Sequence, residues 1–500
     1  RECLSVRATG VFVQNLHFIC NGIGELPAIS VAEGADLELD GCRIQSMTAL
    51  GVALNGNATL TAIGTSFSSS NGVALRADAG KIKLTQSTIT DSRVGLRAAP
   101  GPAPGAALEL ESCAFERNGG SDPQGAIMAV TGNVGVTLKD CHFTNNSAGI
   151  LLLDEAQFGA WRGSFKNNAE NTSSGATGLV AVRRGSKALF TNVSFEGNGQ
   201  GLAASERGIL EMDQCTFARN GSQTRQLILP MMPVSVSGRD SRATLKNTRM
   251  TDSAQFAVFA ANAAALSLED VEISSARSCA IGIGDTGSAP VRAEIRRANI
   301  HDNQTGLGVF AGSNVTVEDS QFHDNQEGII VGERESQVEL RKTEVLGNRE
   351  HGLVVYGESK ARAVESQFRN NGRGAQSGTP RKSNGRGSLT LEDCAVGGNR
   401  IFGVGAHAQS ELVLRRVNFE GGDKTNIYKE RNAIVQTEAS PAPEASASPE
   451  ASAETSPTPS QKPRSSATPP RRPRPSPKPK TRRPEEDAER ILRHIFGPRR

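Results

Sequence analysis

The chain of 500 residues contains one Trp, two Tyr and eight Cys, and its formal net charge is only +3. Each shortage excludes something. So few aromatic rings leave little surface for stacking on sugars. Eight cysteines are too sparse for a disulfide-built scaffold in a chain this long, and no C-x-x-C pair is present to hold zinc. No apolar run approaches the roughly 20 residues of a membrane-spanning helix, and no secretory apolar stretch stands near Arg1, so no transmembrane segment is expected. The near-neutral charge hides an asymmetry: residues 1 to 437 are close to balanced, and the excess of Lys and Arg lies beyond them.

The body is dominated by a repeat. Cys113, Phe115 and Asn118 set a cadence that returns as Cys141, Phe143, Asn146 and as Cys215, Phe217, Asn220. Cys42 and Cys394 occupy the same place, which other copies fill with Thr65, Ser87, Val193, Thr248, Val271 or Ser320. A metal ligand or disulfide partner would not alternate with Val, so the place calls for a small inward side chain. Copies open with Gly and an apolar residue, as at Gly51-Val52, Gly201-Leu202, Gly328-Ile329 and Gly403-Val404, at spacings of about 21 to 30 residues typical of solenoids. Each copy holds a short alternating strand after the Gly, a second such as Leu108-Glu109-Leu110, and a third carrying the Cys-x-Phe pair. Three strands per copy without helical spacing predict a right-handed parallel β-helix over residues 1 to 436, an all-β solenoid of about 17 coils.

A leucine-rich repeat is the competing reading, because Leu110, Cys113, Phe115 and Asn118 imitate its core spacing. That architecture needs an apolar residue two places after the Asn and a convex segment beyond it. Small and polar residues follow here instead. In a β-helix the Asn positions, from Asn118 through Asn146, Asn168, Asn198 and Asn220 to Asn399, stack about 4.8 Å apart and can donate to one another along a turn. At that rise the rod would be about 80 Å long.

The Gly-led strands and the Asn turn resemble the right-handed β-helix repeat group of the pectin-lyase-like superfamily, over nearly all of residues 1 to 436. The resemblance implies a fold; lyases, hydrolases, epimerases, tailspikes and protein-binding repeats share it. Such families usually begin with a capping helix, and its lack near Arg1 suggests a truncated start. The Asn-Thr-Asp, Gly-His-Gly and Asp-Pro-His-Asp motifs of the polygalacturonases and alginate epimerases are missing. The position two after the repeat Gly, expected to point outward, reads Ala53, Ala74, Arg97, Ile127, Leu151, Val180, Ala203, Gly308, Ile330, Val354 and Gly405, almost without acids or bases.

One polar constellation stands out: His301 should stack on His323 and Asp302 on Asp324, an arrangement that could hold a metal or act as base and orienter, or simply form a surface ladder. Trp161 and Tyr356 sit at outward positions and are candidate carbohydrate contacts. Insertions at 119 to 124, 169 to 177, 221 to 230 and 373 to 387 are expected to leave one corner of the rod and line a binding edge there.

From Glu438 the composition turns to Pro, Ser and Ala, expected to be disordered over 437 to 484. Its second half carries Arg471, Arg472, Arg474, Lys478, Lys480, Arg482 and Arg483, a basic tether suited to an anionic polymer or membrane surface. Residues 485 to 497 read as a short amphipathic helix whose apolar face is Ala488, Ile491, Leu492, Ile495 and Phe496, and at three turns it needs a partner. The sequence therefore predicts a non-catalytic, monomeric β-helix scaffold with no cofactor or metal, binding a polysaccharide or protein along its edge. The alternative is a polysaccharide lyase, hydrolase or epimerase acting on an acidic polysaccharide. The cell envelope or the exterior is the favoured setting over the cytoplasm.

Overall fold

Left-handed residues at the turns bend the chain. In the computed structural model, which describes residues 2–438 apart from 22–25, 100–106, 120–126, 148, 150, 169–177, 222–231, 285–288 and 380–385, the second strand of a coil turns into the third through residues such as Asp140, Asp270 and Asp393, at φ of 54°, 53° and 52°. The third strand ends on another, at Asn145, Asp302, Asp324, Gly347 and Asn370 among others. Gly, Asn and Asp recur there because they tolerate the left-handed region best. The predicted terminal helix, with Ile491, Leu492, Ile495 and Phe496, and the tether from Arg471 to Arg483 lie outside the described residues.

Three parallel sheets result. The first runs from Leu4–Val6 to Ile427–Lys429 and has 18 strands, the second from Val11–Gln14 to Ile434–Glu438, and the third from His17–Cys20 to Asn418–Gly421. Every strand pairs in parallel with its counterpart one coil away. The chain winds as a right-handed β-helix of about 17 turns.

Alternation along each strand fills the interior. Phe115, Phe143, Phe165, Phe195 and Phe217 stack face to face with ring centroids 4.5, 4.7, 5.0 and 4.6 Å apart, the coil spacing itself. Cys42, Cys113, Cys141, Cys215 and Cys394 are buried beside them as free thiols. Each thiol reaches back to a carbonyl of the preceding coil, as Cys141 Sγ does to Leu110 O at 3.4 Å, and Thr65 and Ser87 hydroxyls make the same reach. Burial pushes the Cys215 and Cys394 thiols up to about 11, and all five cysteines fill the interior. Cys3 and Cys20 differ: they form a disulfide that the repeat gave no reason to expect.

The Asn ladder runs in two stretches, Asn118 to Asn220 and Asn303 to Asn399, separated by coils that carry Ser253 and Ala276 in its place. The repeat Gly follows from this packing. A Cβ on Gly328 would lie 2.4 Å from the Gly352 carbonyl oxygen and 3.1 Å from the Asn348 amide nitrogen, and Gly352 and Gly374 meet the same obstruction one coil on.

Two expectations are corrected. Residues 373 to 377 are not an insertion but the strand Arg373–Ser377 of the first sheet, so the interruption after it lies between the first and second sheets, at a different corner from the other three. The outward row of the first sheet also differs from a count of two after each Gly: Ala53 pairs with Arg76, and Arg97 with Ala129, while Ala74, Ile127 and Val180 are buried. In those copies the counted Gly lies one or two residues earlier relative to the strand than Gly51 does, so the count falls out of register.

Candidate functional site

The second sheet carries a shallow groove of about 890 Å³ along its outer face, between Arg242 and Thr390. Its floor is the middle outward row, where Thr244 pairs with Ser267, Ser267 with Glu294, Glu294 with Thr316 and Thr316 with Glu339. Short hydroxyl side chains at Thr244, Ser267, Thr316 and Thr390 make that row low, because each strand lifts alternate residues out of the sheet.

The charges around the floor are unequal. Glu294 is 3.4 Å from Arg296, and Glu339 is 2.9 Å from Arg341 and 3.3 Å from Arg362. Arg362 also reaches Glu392 at 2.6 Å, and with Arg416 holds that carboxyl below the usual range. Lys246 pairs with Glu269 at 2.8 Å on the same side. The opposite row holds Arg242, Arg292 and Lys360, all exposed and lining the groove, and none forms an ion pair among the described residues. The groove is therefore a polar channel whose acids are paired, while three of its four cations have no ion pair among the described residues.

Trp161 lies on this same sheet, three strands before Lys246 in the same row. Its ring folds back on Gly159, where a Cβ would come within 2.3 Å of it, and the residue is 36% exposed. Tyr356 follows the first-sheet strand His351–Val355, and its ring lies on Gly332. Burial, and secondarily the carboxylates of Glu333 and Glu327, push its phenol up, so it is packed on the rod more than offered as a platform.

The structure brings the predicted histidines together on the third sheet. The His301 and His323 rings stack with centroids 5.0 Å apart and planes within 10°. Each Nδ1 lies 2.8 Å from the carboxylate of the following residue, Asp302 or Asp324. His323 Nε2 meets Asn299 Oδ1 at 2.8 Å, and His301 Nε2 lies 3.5 Å from Glu272. The ring nitrogens are thus engaged with neighbours, which suits a surface ladder better than a poised base.

A cluster that the sequence reading missed lies on the first sheet. Glu327, His351 and Arg373 stand in register on successive strands, with Thr305 before them and Phe402 after. Glu350 joins Glu327 and His351, each half-buried, with one donor atom of every residue within 4.8 Å of the others. Burial first, and the nearby Glu327 carboxylate, raise the Glu350 carboxyl, against a hydrogen bond from Gln326. The signal was present: each of Glu327, His351 and Arg373 immediately precedes a repeat Gly, whereas the outward count began after it.

The model of the right-handed beta helix region matches residues 4–173, 164–334 and 232–383. The chain belongs to that family. Solved structures similar to this β-helix include the alginate lyase from Paenibacillus sp. str. FPU-7, at 12% identity over 50% of this chain and 92% of that one, with a TM-score of 0.38. The periplasmic alginate epimerase AlgG shares 12% identity over 83% and 77%, with a TM-score of 0.28. The Vag8–C1 inhibitor complex shares 14% over 87% and 95%, with a TM-score of 0.44. At such identities the likeness is one of fold. No curated protein matches the β-helix by sequence.

Proposed function

We propose that this β-helix protein binds an extended anionic polymer, an acidic polysaccharide, lengthwise in the second-sheet groove, with the rod as a rigid scaffold. The observation that carries this reading is the row of Arg242, Arg292 and Lys360, without an ion pair among the described residues, beside Thr and Ser hydroxyls on the floor, while Glu294 and Glu339 are tied to arginines. Guanidinium forks match carboxylates, and hydroxyls exchange hydrogen bonds with sugar hydroxyls. Arg242 and Arg292 lie two strands apart in one row, and Arg292 and Lys360 three, so the cations line up along the axis for an extended chain carrying many charges. The Cys3–Cys20 disulfide suits an oxidising setting such as the cell envelope or the exterior, where such polymers occur.

Affinity electrophoresis in alginate, polygalacturonate and neutral dextran tests the reading. Both acidic polymers should retard the protein, dextran should not, and combined Arg242→Gln, Arg292→Gln and Lys360→Gln substitutions should abolish the retardation. Unchanged migration of this triple variant in acidic gels would remove the groove as the binding face. Product release from either acidic polymer would favour the enzymatic alternative over a scaffold.

A further inference from the structure

We infer that Glu327, Glu350 and His351 form a site for one divalent transition-metal ion of the zinc class on the first sheet, separate from the polymer groove. The coil repeat places Glu327 and His351 side by side, and the corner after Asn348 delivers Glu350 beside them. Each carboxylate is held from behind by one oxygen: Gln326 Nε2 donates to Glu350 Oε1 at 3.0 Å, and Thr305 Oγ1 contacts Glu327 Oε2 at 3.4 Å. The other oxygen of each is left for a ligand.

The decisive geometry is between His351 Nδ1 and Glu327 Oε1. They lie 3.6 Å apart, too far for a hydrogen bond, and Nδ1 is buried with no hydrogen-bond partner. Two ligand atoms each about 2.0–2.2 Å from a tetrahedral ion stand roughly 3.4 Å from each other, so this gap is the span of an ion's two ligands. Two carboxylates offset the charge of a divalent cation, and the imidazole selects zinc-like ions over calcium or magnesium, which prefer oxygen alone. Three protein ligands leave a fourth position open.

Arg373 sets the cost of loading. Its Nη1 lies 2.9 Å from His351 Nε2, where it donates to a ring whose proton is on Nδ1. A metal on Nδ1 moves that proton to Nε2, and two donors then face each other. Arg373 must withdraw, and the Phe402 ring, 5.9 Å from its guanidinium carbon, offers it a cation–π surface. Arg373 is thus a competitor of the ion, and its removal should tighten binding.

The test uses full-length protein stripped with chelator and titrated with Zn²⁺, Mn²⁺, Ca²⁺ and Mg²⁺ by calorimetry, with bound metal counted by mass spectrometry. One equivalent of Zn²⁺ is expected. Its affinity should fall at least tenfold in Glu350→Gln and in His351→Ala, rise in Arg373→Gln, and stay unchanged in His301→Ala/His323→Ala. Circular dichroism of the isosteric Glu350→Gln protein checks that the fold persists. Absence of stoichiometric zinc, zinc retained at full affinity in both ligand variants, calcium bound as tightly as zinc, or weaker binding in Arg373→Gln would each overturn the assignment.

Discussion

Asn146 donates to Asn168 twice, from its backbone N–H to Oδ1 at 3.2 Å and from its side-chain amide to the same oxygen at 2.9 Å, while that amide also reaches back to Phe115 O at 3.0 Å. One side chain therefore joins three coils at a corner where the backbone cannot pair with itself. Asn146→Leu removes the two side-chain bonds and leaves the Asn118 amide groups without their acceptor. It should cost about 1–3 kcal/mol, read as a lower melting temperature or urea midpoint. An unchanged unfolding curve would show that the ladder contributes nothing.

Glycine at the head of each coil should resist replacement although its φ is ordinary. Gly328→Ala drives a methyl against the Gly352 carbonyl, which is backbone and cannot step aside. Overpacking of this kind costs about 1–3 kcal/mol. Gly135, with nothing within 4 Å of its Cβ position, is the control, and Gly135→Ala should leave the urea midpoint near that of the parent.

Acid should weaken the rod through its cross-coil arginine pairs. Arg162 holds the Asp140 carboxyl low, Arg297 holds Asp270 low, and Arg416 holds Asp393 low, each chiefly by hydrogen bonding. A depressed carboxyl binds fewer protons folded than unfolded, so its stabilisation is complete above the ordinary range near pH 4 and is lost as pH falls through the lowered values. Melting temperature should hold between neutral pH and about 5 and decline below about 4, with a shallower decline in Asp393→Asn. Glu350 has the opposite sign: its carboxyl is raised, so its contribution is present at low pH and lost on ionisation. Glu350→Gln should therefore melt higher than the parent at neutral pH without metal.

The basic tether and the terminal segment are expected to act differently from each other. Residues 461 to 483 should bind DNA or acidic vesicles with an affinity that falls steeply with salt and survives scrambling of their order. Residues 485 to 497 should depend on their apolar face, so that Leu492→Asp abolishes docking. A chain ending after Glu438, the last residue of the final strand, should retain the β-sheet signal of the full chain by circular dichroism.

The fold was legible because each coil presents the same environment again: Phe143 and Asn146 need no context beyond Phe115 and Asn118 to be placed. Positions defined by three-dimensional register were not. The strand Arg373–Ser377 carries Gln and Ser where its neighbours are apolar, and reads as a loop until the pairing of Ala375 with Leu353 and Val404 is known. The groove escaped notice for a similar reason, since Thr244, Ser267 and Thr316 become a floor only when three separate coils align. Cys3 and Cys20 are 17 residues apart in no repeating place, and only the meeting of their strands' ends joins them.

The break in the Asn ladder gives the rod a mechanical fuse. Around Ser253 and Ala276 the amide stack lapses, the Ser253 hydroxyl is buried without a partner, and Met250, Ile273 and Ile300 replace the stacked rings on the third sheet. In a solenoid whose strength adds coil by coil, these coils should yield first when the ends are pulled, giving two force peaks instead of one. The second-sheet groove begins within them, at Arg242 in the coil of Ser253, and runs on past Arg292 to Lys360. A polymer lying in it would act as a splint, and pulling on the loaded rod should raise the first peak toward the second.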